Sequence, residues 1–229
     1  DGDVDVLATS SEEDQVVWFE NLGGGGFGTE QVISTTVNGA FSVYTADIDG
    51  DGDVDVLATS VSEDKVVWFE NLGGGSFGTM LVIASNVEMA KSVYAADLDG
   101  DGDMDVLSAA YEDPQKVLWY ENDGSGGFGS ERIISTGVTG AKFPFHVRAA
   151  DINGDGKLDV VVLDDDGTWW HQNQGGGTFG SKLAIANNNS KFHLSDMDGD
   201  GDIDVLSVTW GTKKVAWYEN LGNGAFRSE

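Results

Sequence analysis

Nine-residue acidic segments recur along this chain. Residues 47–55 place Asp47, Asp49, Asp51, Asp53 and Asp55 at alternate positions, with Gly50 and Gly52 among them. Residues 97–105 repeat the arrangement with Asp97, Asp99, Asp101, Asp103 and Asp105. Residues 196–204 do so again with Asp196, Asp198, Asp200, Asp202 and Asp204. Residues 151–159 vary it with Asp151, Asn153, Asp155, Lys157 and Asp159. Oxygen donors at positions 1, 3, 5 and 9, with glycine at 6, follow the logic of a calcium loop. Alternate carboxylates turn inward, glycine makes the sharp bend, and position 7 offers its backbone carbonyl. Lys157 supports that last role, because a lysine there can ligate only through its carbonyl. Val54, Met104, Leu158 and Ile203 at position 8 are apolar anchors to a core. An EF-hand would need a Glu at position 12 and flanking helices, and neither is present. A solvated acidic turn is the weaker reading, since carboxylates packed this closely repel one another without a cation. The all-oxygen donor set favours Ca2+ over zinc, and magnesium would take fewer protein ligands. Four calcium sites are expected. A partial fifth loop keeps Asp1, Asp3 and Asp5 and makes a site only with residues preceding them in an intact protein.

The loops sit inside a longer repeat. Asp5, Asp55, Asp105, Asp159 and Asp204 close them at spacings of 50, 50, 54 and 45 residues. Each is followed by an aromatic signature ending in Asn21, Asn71, Asn122, Asn173 or Asn220, and then by Phe27, Phe77, Phe128, Phe179 or Phe226 in a glycine-rich turn. Five repeats, approximately 1–40, 41–90, 91–140, 141–190 and 191–229, fill a single domain spanning 1–229. Within residues 41–90, strands are predicted at Phe41–Ala46, Val54–Ser60, Lys65–Asn71 and Met80–Ala84. Short strands at this spacing, punctuated by glycine turns, indicate an all-β fold. Four strands in roughly 45 residues make a propeller blade, whereas a β-helix coil is about half as long. The expected architecture is a β-propeller of four-stranded antiparallel blades, either a closed five-bladed ring or part of a larger one. The first repeat begins just before its second strand and the last stops after its third, so one first strand and one fourth strand are expected to be missing. Unpaired edges of that kind invite self-association through the terminal blades.

Composition narrows the partners. Against 40 acidic residues stand 12 basic ones, a formal net charge of -28. Nucleic acid and anionic membrane surfaces, which need clustered Lys and Arg, are excluded as partners. More than half of the acidic residues lie in the loops, so most of this charge is metal-binding charge. Cysteine is absent, which removes disulfides and thiol chemistry. No apolar run reaches membrane-spanning length, so no membrane insertion is expected.

The loops, together with the pairs Phe27-Gly28, Phe77-Gly78, Phe128-Gly129 and Phe179-Gly180, resemble the FG-GAP/VCBS repeat family. Its members include the propeller blades of integrin α-subunits and of many secreted microbial proteins. Arg227 after Phe226 departs from the pattern. The resemblance implies calcium in the hairpin between the first and second strands of a blade. It also implies an extracellular or cell-surface protein with a protein or glycan ligand.

Other residues carry less chemistry. Trp18, Trp68, Trp119, Trp170 and Trp217 recur at one place in the repeat and are expected to pack blade against blade. Trp169 and Trp210 fall outside that register and are candidates for exposed sugar platforms. His146, His171 and His193 are scattered. Glu20, Glu70, Glu121 and Glu219 recur in the aromatic signature, which argues for a structural role over glycosidase chemistry. Asp164, Asp165 and Asp166 read as a solvated turn, and Asn188 opens a lone glycosylation sequon. The fourth repeat differs most, through Phe143, Pro144, Phe145 and His146, and is where a specific ligand is expected to dock. The function expected is that of an extracellular, calcium-binding adhesion, recognition or assembly module without catalysis. The alternatives are a lectin-like carbohydrate binder, or the non-catalytic module of a secreted hydrolase or lyase.

Overall fold

A computed structural model describes residues 2–111, 115–136, 145–187, 191–209 and 212–227. Runs of β-branched and aromatic residues between glycine turns form strands, as their preference for a pleated, half-buried surface dictates. The first sheet holds β1 (Val6–Ser10), β2 (Gln15–Phe19) and β3 (Gln31–Ser34). The second holds β4 (Ala40–Ala46), β5 (Asp55–Ser60), β6 (Lys65–Phe69) and β7 (Leu81–Ser85). The third holds β8 (Ala90–Ala96), β9 (Asp105–Ala110), β10 (Lys116–Tyr120) and β11 (Arg132–Thr136). The fourth holds β12 (His146–Ala150), β13 (Asp159–Asp164), β14 (Gly167–Asn173) and β15 (Phe179–Asn187). The fifth holds β16 (Lys191–Ser195), β17 (Asp204–Thr209), β18 (Lys214–Asn220) and β19 (Phe226–Arg227). Every pairing is antiparallel, and no helix occurs among the described residues.

The four-stranded blade expected from residues 41–90 is present in the second sheet. The first sheet has three strands among the described residues, as expected. The fifth sheet is less truncated than expected. Its fourth strand begins as β19, where Arg227 pairs with Glu219 and Phe226 with Asn220.

Hydrophobic clusters lie between consecutive sheets. Val16 and Val37 meet Ala40, Val56 and Phe69 between the first and second. Trp68 and Leu57 meet Val93, Val106 and Tyr120 between the second and third. Trp119 and Leu107 meet Val147 and Val160 at the next junction, and Trp170 and Ile152 meet Phe192 and Val205 at the last. Strands such as β5, β9 and β13 are buried along their whole length, which is why their sequences lack alternation.

The tryptophan register explains how closely the sheets approach. Trp18, Trp68, Trp119 and Trp170 lie against Gly75, Gly126, Gly177 and Gly224 of the following sheet. At Gly126 the backbone has φ +75°, and a Cβ would fall 2.6 Å from Trp68 Cζ2. Only glycine meets both conditions without strain.

Candidate functional site

The acidic loops join the leading strand of each sheet to the second strand. Their first residue organises the bend: Asp47 accepts hydrogen bonds from Gly50 N–H at 2.8 Å and Gly52 N–H at 3.1 Å. Asp97, Asp151 and Asp196 hold the equivalent glycine amides. The last residue is buried. Asp55, Asp105, Asp159 and Asp204 are all 0% exposed, and each accepts two backbone N–H groups. For Asp55 these come from Ile48 at 2.9 Å and Asn71 at 2.7 Å.

Three of the four loops bring carboxylates together. Ligand atoms of Asp47, Asp49 and Asp55 lie within 4.8 Å of one another, as do those of Asp97, Asp99 and Asp101, and of Asp196, Asp198 and Asp204. The position-7 residues turn elsewhere. Asp53, Asp103, Lys157 and Asp202 reach toward Gly73, Gly124, Gly175 and Gly222 in the turn after the third strand. This leaves their carbonyls for the loop. The loop at 151–159 differs: Lys157 Nζ lies 3.4 Å from Asp155 Oδ2, and Asn153 replaces a carboxylate. Its charge is partly neutralised from within.

The electrostatics show what these clusters cost. Burial pushes Asp105 up to about 7, against hydrogen bonds from Asn122 and Leu98, and the charges of Asp99 and Asp101 add to the rise. Burial likewise raises Asp159 to about 6. Asp99 is raised by burial and then by Asp101. Carboxylate oxygens gathered this closely, with a buried member held up by desolvation, form a donor set suited to a hard divalent cation.

Two contributions were not foreseen from sequence. Glu70 joins Asp49 and Asp51 within 4.8 Å, so it reaches the loop from the third strand. Its recurrence 15 or 16 residues behind the loop's last Asp, as Glu20, Glu70, Glu121 and Glu219, was the available signal. The recurrent asparagine is a latch between sheets. Asn122 Nδ2 donates to Ile48 O at 2.7 Å in the preceding sheet's loop and to Met104 O at 3.0 Å in its own. Asn173 and Asn220 bond Leu98 O and Ile152 O in the same way.

Trp169 is not an open platform. It is half-buried, its Nε1–H donates to Asp164 Oδ1 at 2.9 Å, and Lys182 Nζ sits 4.1 Å over its ring. Asp164 itself is buried and ion-paired to Lys182, which corrects the solvated-turn reading for that residue, whereas Asp165 is exposed in the turn as expected. Trp210, Phe143, Pro144 and Asn188 lie outside the described residues. An aromatic group does occur at the end of the leading strands away from the acidic loops. Phe41, Met89, Lys91, Tyr111 and Phe145 line a shallow cavity of about 340 Å³. Lys91 Nζ lies 4.1 Å over the Phe41 ring, and the Tyr111 and Phe145 rings are 5.3 Å apart.

The FG-GAP-like repeat family matches residues 1–58, 47–108, 97–162 and 151–194, and the chain belongs to that family. No curated protein matches it. Among solved structures, it is similar to an Agrocybe aegerita lectin that recognises non-reducing terminal N-acetylglucosamine, with 21% identity and TM-score 0.67 over 98% of this chain. It is also similar to a lectin from Burkholderia pseudomallei, with 16% identity and TM-score 0.73 over 98% of this chain. A third is a biofilm matrix protein of V. cholerae, with 17% identity and TM-score 0.51 over 96% of this chain. The chain spans 65%, 64% and 37% of those three chains. These likenesses concern the fold, and with the repeats they place the sheets as β-propeller blades. No helix among the described residues is long and apolar enough to cross a membrane.

Proposed function

We propose that this chain is a calcium-braced, carbohydrate-recognising propeller module that works outside the cell and carries out no turnover. The observation that carries the ligand class is the aromatic pocket opposite the acidic loops. Phe41 is 48% exposed and Phe145 36%, so both rings are open to a ligand at this pocket. Flat apolar faces suit the C–H faces of a sugar ring, and Lys91 supplies a donor for hydroxyl groups. Two of the structural relatives are lectins, which supports the same reading.

Calcium in the four loops would neutralise their carboxylates and tie each leading strand to its neighbour. Binding to the native state alone adds about 2.7 kcal/mol per site at a ligand concentration 100-fold above its dissociation constant. Chelation should therefore lower the melting temperature, and Asp51→Ala and Asp101→Ala should each remove one site from a calorimetric calcium titration. A melting temperature unmoved by chelator would remove calcium from the reading. The ligand class is tested on a glycan array with calcium present. Phe41→Ala and Phe145→Ala should weaken the glycans retained by about tenfold. An empty array, or full binding by both variants, would overturn it.

Assembly is a second reading that one surface favours. On the outer face of the fifth sheet Val208, Val215 and Trp217 are exposed. Light scattering with and without calcium tests it, and a monomer under both conditions would remove it.

A further inference from the structure

The leading strands are not equivalent. Ser42 and Ser92 each clip the next strand, their Oγ atoms accepting from Val93 N–H and Val147 N–H at 3.2 Å. Pairing registers put His146 at this place in the fourth sheet: Ser92 pairs with Ala109 and His146 with Leu163, each four residues beyond its loop's last Asp. An imidazole is too large for the serine's role. Its ring packs instead on Phe192, with centroids 4.9 Å apart. Beside it, between the leading strands of the fourth and fifth sheets, opens a cavity of about 420 Å³.

The cavity's lining brings a cation, two imidazoles and aromatic rings together. Tyr94, His146, Arg148, Phe192 and His193 face it, with Leu194 at one wall. Tyr44, Tyr94, Arg148 and His193 share one register, pairing with Leu57, Leu107, Val161 and Leu206, so the two tyrosines of the regular sheets give way to a cation and an imidazole. Arg148 stacks on the Tyr94 ring at 5.0 Å, which orients its guanidinium plane. Its Nη1 donates to Val147 O at 2.7 Å. Among the described residues no carboxylate lies within ion-pair distance of it. A guanidinium has five N–H donors in a planar fork. An arginine held flat, half-buried and without an acidic partner in a protein of net charge -28 is an open anion receptor. Burial, with help from Arg148 and Lys191, holds His146 down to about 3, so its ring is a neutral donor or acceptor at the cavity wall.

We propose that this cavity binds a small organic carboxylate of about monosaccharide size, with Arg148 as the anchoring cation and Phe192 and Tyr94 as apolar walls. The guanidinium fork pairs bidentately with a carboxylate as with other oxyanions, and the apolar walls select a carboxylate carried on a sugar-sized organic body over an inorganic anion. The site is separate from the aromatic pocket of Phe41 and Phe145 and does not rest on the function proposed for it.

Isothermal titration calorimetry with D-glucuronate, D-glucose and inorganic sulfate, in calcium-containing buffer, tests the proposal. Glucuronate should bind saturably and at least about tenfold more tightly than glucose or sulfate. Arg148→Gln should weaken glucuronate by about tenfold or more. His146→Ser, which removes the imidazole from the cavity wall, should weaken it too, with the melting temperature read alongside to show that the variant is folded. Sulfate binding as tight as glucuronate would overturn the carboxylate assignment. Equal binding of glucose, or glucuronate binding that survives Arg148→Gln because it sits on a loop cation, would overturn the site. Phe41→Ala should leave glucuronate binding unchanged, so the outcome is read apart from the glycan array.

Discussion

Trp119 and Trp217 occupy the same place in their repeats and live in opposite surroundings. Trp119 is 1% exposed and Trp217 39%. Trp119 has Gly177 of the fourth sheet beneath its ring, Phe179 edge-on at 6.5 Å and the Arg132 guanidinium at 4.7 Å. The neighbouring valines repeat the contrast, with Val117 buried and Val215 exposed. One motif is thus a core residue in the third sheet and a surface residue in the fifth. A repeat's stability belongs to its junctions as much as to its own strands.

The largest effects should come from testing that contrast directly. Trp119→Ala should cost about 3–5 kcal/mol, the range for removing a large buried aromatic side chain. Trp217→Ala should cost less than about 1 kcal/mol, as surface substitutions do. Urea unfolding midpoints measure both, and equal shifts would show that the fifth sheet is as well covered as the third.

The asparagine latch should give the next effect. Asn122→Ala leaves Ile48 O and Met104 O without their side-chain donor in a buried place, at about 2–3 kcal/mol. Asn71, whose amide donates to Val54 O within its own sheet and has no cross-sheet bond among the described residues, should cost only about 1 kcal/mol when truncated. The difference between the two variants isolates the bond across the junction. Similar losses would mean the latch acts within sheets only.

The smallest effect concerns the junction where His146 replaces the serine clip. Its folded-state pKa of about 3 lies below the ordinary 6.5. Between those values the unfolded chain binds the extra proton, so stability is full above pH 6.5 and declines as pH falls toward 3. Phe192, Arg148 and Lys191 are the groups that face this ring. Melting curves from pH 7 to 5 should show a decline that is shallower in His146→Ser. Identical slopes would place the acid sensitivity elsewhere.

Much of this protein could be read from its residues. The loop spacing located each hairpin between leading and second strands, and the recurrent tryptophan announced packing across sheets at Trp18, Trp68, Trp119 and Trp170, though not at the exposed Trp217. The repeat length set the blade. These features are local or strictly periodic, so one turn's chemistry or one strand's pattern suffices to recognise them. Other features needed the assembled fold. Asn122 and Ile48 are 74 residues apart, and nothing in either neighbourhood points to the other. Trp169 reads as a free aromatic but lies under Lys182. The Arg148 cavity arises because one serine register became a histidine and one tyrosine register an arginine. In the linear sequence both changes sit in a strand, HVRAA, whose repeat register is not obvious. Periodicity fixed which residues turn inward within each sheet. Whether an inward-turned residue meets a glycine, a partner carbonyl or open space depends on the sheet beside it, and that was settled only when the sheets packed.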